Sequence, residues 1–186
     1  MVFELLGRSM YICNSIELRI KWLLLNSSGC GPIVFSTPED LKPKLKAIQQ
    51  KKNKLCKQPL GNVWKEVLEL IYKVPTQKEF DEAEAEAAKE NKFVFKINFH
   101  ISSKGLLARV QKKMAAVIEH RNYLAHYFAG EFNLDNPAAC KKAYAKLNSK
   151  IDFLKKTLEY FERDCEKCRQ LTLKMQEIFL KERLIL

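Results

Sequence analysis

The sequence predicts a mainly α-helical protein that contains one short β-strand. Apolar residues recur every three or four positions over residues 2–26 and again over 136–183, which is the spacing of one helix face. Between these stretches, residues 92–102 alternate apolar and polar side chains, as a strand with one apolar face does. Because no second strong strand is visible, its partner would be a weaker segment, such as 32–36 or 76–82, or another chain.

The composition is that of a globular domain with a strong positive charge. A chain of 186 residues, 47% of them apolar, is long enough to bury a core, and we expect one domain over 1–186. Its 6 glycines and 6 prolines are too few for a collagen or a linker. The excess of 33 basic over 22 acidic residues gives a net charge of +11, which favours RNA, DNA or an acidic membrane surface as partner.

Membrane-spanning and secreted classes are disfavoured. The longest apolar runs, such as 22–25, have only a few residues, whereas a membrane span needs about 20. The first helix lacks a basic leader region and a small-residue cleavage site, so we interpret it as part of the mature protein. Six cysteines without an export signal predict reduced thiols and a cytoplasmic location.

Turn and capping residues predict three helices in the first half of the chain. The first covers 2–26 and ends at the Asn-Ser-Ser-Gly sequence of 26–29. A Thr-Pro pair predicts the start of a second helix over 38–57, in which Pro43 lies in or before the first turn. A third helix is expected over 62–72.

Two long helices are predicted after the strand. The first covers 103–129 and would stop at Gly130. The second begins with Asn136 as N-cap and Pro137 as first residue, and runs to about 183. At roughly 65 Å it is long for a domain of this size, so we expect either a break or a C-terminal half that packs on a partner.

Lysines form the main candidate surface for a phosphate backbone. Residues 41–57 contain seven lysines and no acid, so nothing nearby in sequence neutralises them. We take Lys51 and Lys52 from this block, and Lys112 and Lys113 from the first long helix, as candidate RNA-binding residues. A membrane-surface role for the block is weaker, because it has few large apolar residues to insert.

An acidic block precedes the strand. Residues 79–90 hold six acids and one lysine, which is typical of a solvated helix or a mobile loop. With the strand, this block forms a predicted insertion over 76–102 within the helical domain.

Two other features are better explained by packing or exposure than by chemistry. Cys165 and Cys168 have the C-x-x-C spacing of metal and redox sites, but both fall on the apolar seam of the last helix, and no second Cys or His pair lies nearby. His100 falls on the polar side of the predicted strand. Phosphate-binding glycine loops and the common hydrolase motifs are absent from the sequence, and we expect neither a metal nor a cofactor.

One arginine occupies a position where the helix period requires an apolar residue. The seam of the first long helix continues through Arg121, and its apolar members are Leu107, Val110, Met114, Val117, Leu124 and Phe128. A guanidinium cannot be deprotonated, so burying it without a partner is costly. Arg121 must therefore be paired, or must face a cleft that receives an anion.

A polar stripe follows the same helix. Glu119, Asn122 and His126 lie within about 60° of one another around the helix axis, and histidine is the natural general acid or base near neutral pH. Arg121 and His126 are about 140° apart on an ideal helix. They converge only through the reach of the arginine, through a helix end near 126, or in a site between subunits.

The segment Arg121-Asn122-Tyr123-Leu124-Ala125-His126 resembles the R-x(4–6)-H motif of the HEPN superfamily. An aromatic strand that leads into a helix with this motif resembles a plasmid-type branch in particular, and the match covers roughly 92–170. The resemblance implies an up-and-down helical bundle, usually a homodimer in which the two motifs face each other across a cleft. Many members are metal-independent endoribonucleases of toxin–antitoxin, phage-defence or RNA-processing systems.

The resemblance also implies roles for the motif residues. His126 would shuttle the proton for attack of a ribose 2′-hydroxyl on the adjacent phosphate, which leaves a 2′,3′-cyclic phosphate. Arg121 would neutralise the charge of the transition state. Asn122 would orient His126 or a phosphate oxygen, and Glu119 and Tyr127 would support the site.

The chain departs from one branch of the family. HEPN toxins paired with a nucleotidyltransferase antitoxin often carry Tyr two residues after the histidine, where this chain has Phe128, and Tyr127 lies one position earlier. This departure argues against regulation by nucleotide transfer, although an antitoxin or regulatory protein remains an expected partner. The alternative is a non-catalytic module that binds a nucleotide, RNA or a protein. There, Arg121 would pair with a buried acid such as Glu119 or one from the last helix.

Overall fold

The computed structural model describes residues 1–26, 46, 49–55, 57–72 and 104–183. Within these ranges every regular element is helical, and the fold is a mainly α-helical bundle, as the sequence predicts. The predicted strand, the acidic insertion and the start of the predicted second helix lie outside the described residues.

Five helices position the candidate site. They are α1 (Val2–Asn26), α2 (Leu60–Leu70), α3 (Lys104–His126), α4 (Phe128–Glu131) and α5 (Pro137–Arg183).

The first and last helices confirm the sequence-based boundaries. The side-chain oxygen of Asn136 accepts a hydrogen bond from the Ala138 N–H at 2.8 Å and caps α5 as predicted. The 47 residues of α5 form one continuous helix of about 70 Å, so the predicted break does not occur. Neither α5 nor any other helix in the described ranges is apolar enough over a sufficient length to cross a membrane.

The end of α3 differs from the prediction. The helix stops at His126, and Gly130 lies inside α4 instead of ending the longer helix. Tyr127 has φ −120° and ψ −27°, and the N–H groups of Gly130 and Glu131 both bond to its carbonyl, which starts a new turn. Phe128, the first residue of α4, is buried in the core. Gly130 therefore does not mark the end of α3.

The core is built around α1, which packs against α5, α2 and α3 and most extensively against α5. Contacts join Arg19 to Glu162 and Asn26 to Cys168, so α1 and α5 run in the same direction. The core side chains come from all five helices; those that are wholly inaccessible to solvent are Cys13, Ile16, Ile20, Leu23, Leu24, Val63, Val67, Ile71, Met114, Val117, Ala143, Leu147, Leu154 and Cys168.

The two cysteines of the C-x-x-C sequence are packing residues, as predicted. The Cys165 thiol donates to the Arg19 carbonyl at 3.5 Å, and the Cys168 thiol donates to the Asn26 carbonyl at 3.3 Å. Burial raises the pKa of Cys165 to about 12 and that of Cys168 to about 11. Because the thiolate is the reactive form, both side chains are inert near neutral pH and serve to join α5 to α1.

A buried acid ties α5 to the segment after α2. The Tyr72 hydroxyl donates to the Asp164 carboxylate at 2.5 Å, and both side chains are buried. The ring of Trp64 lies 5.9 Å from those of Tyr72 and Phe161. Burial raises the pKa of Asp164, and this effect outweighs the opposing hydrogen bond from Tyr72. Folding therefore makes Asp164 easier to protonate than it is in the unfolded chain.

Replacing Asp164 with Asn removes this titration but keeps an acceptor for the Tyr72 hydroxyl. An unfolded Asp ionises near pH 3.9, whereas the folded-state pKa is higher. The wild type should therefore lose stability relative to Asp164→Asn as the pH rises above about 4 towards the folded-state pKa, and keep that deficit above it. Urea unfolding of both proteins at several values between pH 4 and 7 measures the difference. A difference that is constant with pH would contradict the assignment.

Candidate functional site

Arg121 lies on the side of α3 that faces α1, as the helix period predicts. Its Nη2 atom is 3.2 Å from Oε2 of Glu17, and its side chain is 31% exposed. Val117 and Leu124, one turn before and one turn after, are buried in the core. Arg121 is thus a paired cation at the edge of the core.

Glu17 holds a second cation as well. Its Oε1 atom accepts a hydrogen bond from Lys21 at 2.6 Å, and the two side chains are only 13% and 11% exposed. One carboxylate therefore lies between Lys21 and Arg121 in a poorly solvated setting, where Coulomb interactions are stronger than in water. Nε of Arg121 is buried and has no hydrogen-bond partner within the described ranges.

Cys13 adjoins this cluster on α1. Burial raises the pKa of its thiol to about 11, against an opposing effect from the positive charge of Arg121. Cys13 and Glu17 lie one turn apart on α1, and both are close enough to Arg121 to interact with its charge.

His126 and Asn122 are both exposed in the last turn of α3. They are four residues apart and so share a helix face. The imidazole of His126 lies edge-on to the ring of Tyr127, with 6.3 Å between the ring centroids, and Tyr127 is itself exposed. The sequence left three ways for Arg121 and His126 to converge: the reach of the arginine, a helix end near 126, or a site between subunits. The structure has the second feature, because α3 ends at His126.

The other predicted site residues are more dispersed. Glu119 is exposed and makes no ion pair with the described residues, so the acid on Arg121 is Glu17 of α1. Lys112 is exposed, whereas Lys113 is half-buried with Nζ 5.4 Å from the ring centroid of Tyr160. Lys51 and Lys52, half-buried and exposed respectively, lie on a short helical segment over 49–55.

A buried histidine was missed by the sequence reasoning. His120 is only 8% exposed, stacks on Tyr123 at 6.3 Å, and its Nε2 has no hydrogen-bond partner within the described ranges. Burial, followed by the charges of Lys150 and Lys146, lowers its pKa, so the neutral ring is favoured. The sequence contained one signal of this burial. His120 lies three residues after Val117 and four before Leu124, which is the spacing of one helix face.

Lys146 of α5 contacts both α4 and the end of α3. Nζ of Lys146 on α5 lies 2.7 Å from Oε1 and 2.8 Å from Oε2 of Glu131 on α4. The same nitrogen sits 4.1 Å from the ring centroid of Tyr123 on α3, a cation–π contact. The hydrogen bond from Lys146 lowers the pKa of Glu131 and keeps the carboxylate ionised. The segment that carries His126 is therefore attached to both following helices.

No group of three or more His, Cys, Asp or Glu side chains in the described ranges is arranged to hold a metal ion. Comparison of the chain with protein-family models, curated proteins and solved structures found no match.

Replacing Glu17 with Gln should destabilise the fold, because Lys21 and Arg121 would lose their shared counter-ion. We expect a loss of about 2 kcal/mol in the free energy of unfolding, below the usual range for a fully buried pair because Arg121 is partly solvated. Glu162→Gln is the matched control, since it breaks the exposed Arg19–Glu162 pair, in which both side chains are 46% exposed. This change should cost less than about 1 kcal/mol. Equal losses in parallel denaturant titrations would contradict the role given to Glu17.

Proposed function

We propose that this chain is a HEPN-like endoribonuclease that cuts RNA without a metal ion and works as a homodimer. The observation that supports this best is the arrangement at the end of α3. His126 and Asn122 are exposed on one face of α3 near its end, and Arg121, on the same stretch of the helix, is held by an ion pair. An accessible imidazole and a fixed guanidinium are the two groups that acid–base chemistry at a phosphodiester needs.

The proposed reaction is an internal phosphoryl transfer. His126 takes the proton of a ribose 2′-hydroxyl, and the oxygen attacks the adjacent phosphorus. The bond from phosphorus to the 5′-oxygen breaks, and that oxygen receives the proton from His126. The products are a 2′,3′-cyclic phosphate and a free 5′-hydroxyl.

Arg121 and Asn122 stabilise the transition state of this reaction. Glu17 engages one terminal nitrogen of Arg121, and an arginine has five N–H donors in all. Because the side chain is partly exposed, terminal N–H groups that Glu17 does not engage can face a phosphate whose negative charge grows in the transition state. Asn122, one turn from His126, can orient the imidazole or a phosphate oxygen, while Glu119 and Tyr127 border the site.

A composite site between two subunits accounts for the directions of the two side chains. Within one subunit Arg121 is directed towards α1, whereas His126 is exposed at the helix end. Two motifs that face each other across a basic cleft would bring an arginine and a histidine to the same phosphate. A role in a toxin–antitoxin or phage-defence system in the cytoplasm, with an antitoxin or regulatory protein as partner, follows from the family resemblance.

The Glu17–Arg121 ion pair also favours a second candidate function. It satisfies part of the hydrogen-bonding capacity of Arg121 within the fold, which is what a structural arginine requires. In that case the chain is a non-catalytic helical module that binds a nucleotide, RNA or a partner protein.

The decisive substitution is His126→Ala, assayed on total RNA with EDTA present. We expect the wild type to cut RNA and the variant to be at least about 100-fold slower, because the proton shuttle is lost. Light scattering should give both proteins a mass near twice the 21.7 kDa of one chain. Asn14→Ala, an exposed change on α1, is the control and should cut normally.

Two results would overturn this proposal. Cutting that requires added Mg²⁺ points to different chemistry, and cutting that survives His126→Ala in a folded dimer removes His126 from the reaction. RNA binding without any cutting by the wild type would favour the non-catalytic module.

A further inference from the structure

We propose that an exposed row of lysines on α5, formed by Lys142, Lys146 and Lys150 and called the lysine row below, binds the backbone of single-stranded RNA. The row directs the strand along α5 to the end of α3. This inference rests on the proposed function in taking RNA as the ligand, but it assigns lysines that are not among the RNA-binding residues predicted from the sequence.

The charge on this part of α5 is one-sided. Residues 137–156 contain six lysines and a single acid, Asp152. Lys142, Lys146 and Lys150 are all exposed and are spaced four residues apart, so they lie along one face of the helix. Lys142 and Lys150 form no ion pair with the described residues, and Lys146 forms its pair with Glu131. The positive potential of this face is therefore largely uncompensated.

The geometry of the row suits a nucleic-acid strand. Four residues of helix advance about 6 Å, which is comparable to the separation of successive phosphates along one strand. Lys142 and Lys150, two such steps apart, can each meet a phosphate of one strand, and Lys146, whose charge is shared with Glu131, lies between them.

Contacts between α3 and α5 place the row beside the candidate site. Lys113 meets Tyr160, and Tyr123 meets Lys146, so the two helices run in opposite directions. The last turn of α3, with His126, therefore points towards the start of α5. The charges of Lys146 and Lys150 also reach His120 on α3, where they help to lower its pKa. A strand bound along the row would continue towards His126.

The side chains around the row favour RNA over a membrane. The exposed residues between the lysines include Ala145 and Ser149, neither of which can insert into a bilayer. The exposed ring of Tyr127, at the end of α3, offers a surface on which a base can stack.

The test is a salt series of binding measurements with the full chain. The probe is a fluorescein-labelled 2′-O-methyl oligouridine of twelve nucleotides, which lacks the 2′-hydroxyl and so cannot be cut by the proposed reaction. The double variant Lys142→Gln/Lys150→Gln removes two free lysines and leaves the Lys146–Glu131 pair intact. The control, Lys167→Gln/Lys174→Gln, removes the same charge from exposed positions farther along α5, where Glu162 and Glu166 are interspersed.

In Lys142→Gln/Lys150→Gln, we expect the plot of log association constant against log salt concentration to become shallower by about 1.4. Each phosphate contact of a single strand contributes about 0.7 to the steepness of this plot. The affinity of this variant at low salt should fall roughly tenfold or more, and the control should change less than about twofold. The proposal is overturned if both variants weaken binding equally, if the first binds as the wild type does, or if a poly-glutamate peptide or anionic vesicles bind the row as tightly as the RNA.

A cleavage assay on unmodified RNA separates this inference from the proposed function. If Lys142→Gln/Lys150→Gln binds the probe poorly and the wild type does not cut RNA, the lysine row binds RNA but the chain is not a nuclease. If Lys142→Gln/Lys150→Gln cuts RNA with an unchanged KM, the chain is a nuclease but its RNA does not follow the lysine row.

Discussion

The carboxylate of Glu17 is the interaction on which the candidate site depends. An arginine at position 121 cannot give up its charge, and the helix period turns it towards the core, so α1 and α3 can pack only if an anion meets it. Glu17 supplies that anion at 3.2 Å and is held in turn by Lys21 at 2.6 Å. The same contact joins two helices and fixes the direction of the guanidinium, so the stability of the bundle and the geometry of the site are linked.

The long helix α5 provides the frame to which the rest is attached. Its seam packs along α1, its buried Asp164 receives the hydroxyl of Tyr72, and its Lys146 bridges Glu131 and Tyr123. The last turn of α3 is thereby held on one side by the Glu17 ion pair and on the other by the Lys146 contacts. His126 is exposed at this end of the helix.

The sequence predicted what depends on local periodicity. The boundaries of α1 and α5, the packing role of Cys165 and Cys168, and the core-facing position of Arg121 all follow from the spacing of apolar residues and from capping signals. The partner of Arg121 could not be predicted in this way, because a contact between residues 17 and 121 leaves no pattern in the local sequence. The expected partners were Glu119 and the acids of the last helix, whereas the observed one is Glu17. Gly130 suggested a later end for α3, but the helix stops at His126 and Gly130 lies inside α4.

Under the proposed function the nucleophile is the ribose 2′-hydroxyl, and the ends of the cut RNA reveal it directly. The most direct measurement is the identification of the 3′ ends of fragments produced by the wild-type protein in buffer that contains EDTA. We expect 2′,3′-cyclic phosphates, with a 5′-hydroxyl on the other fragment. Fragments that carry 3′-hydroxyl and 5′-phosphate ends would contradict this expectation, because such ends require attack by water at a phosphorus whose 2′-hydroxyl takes no part.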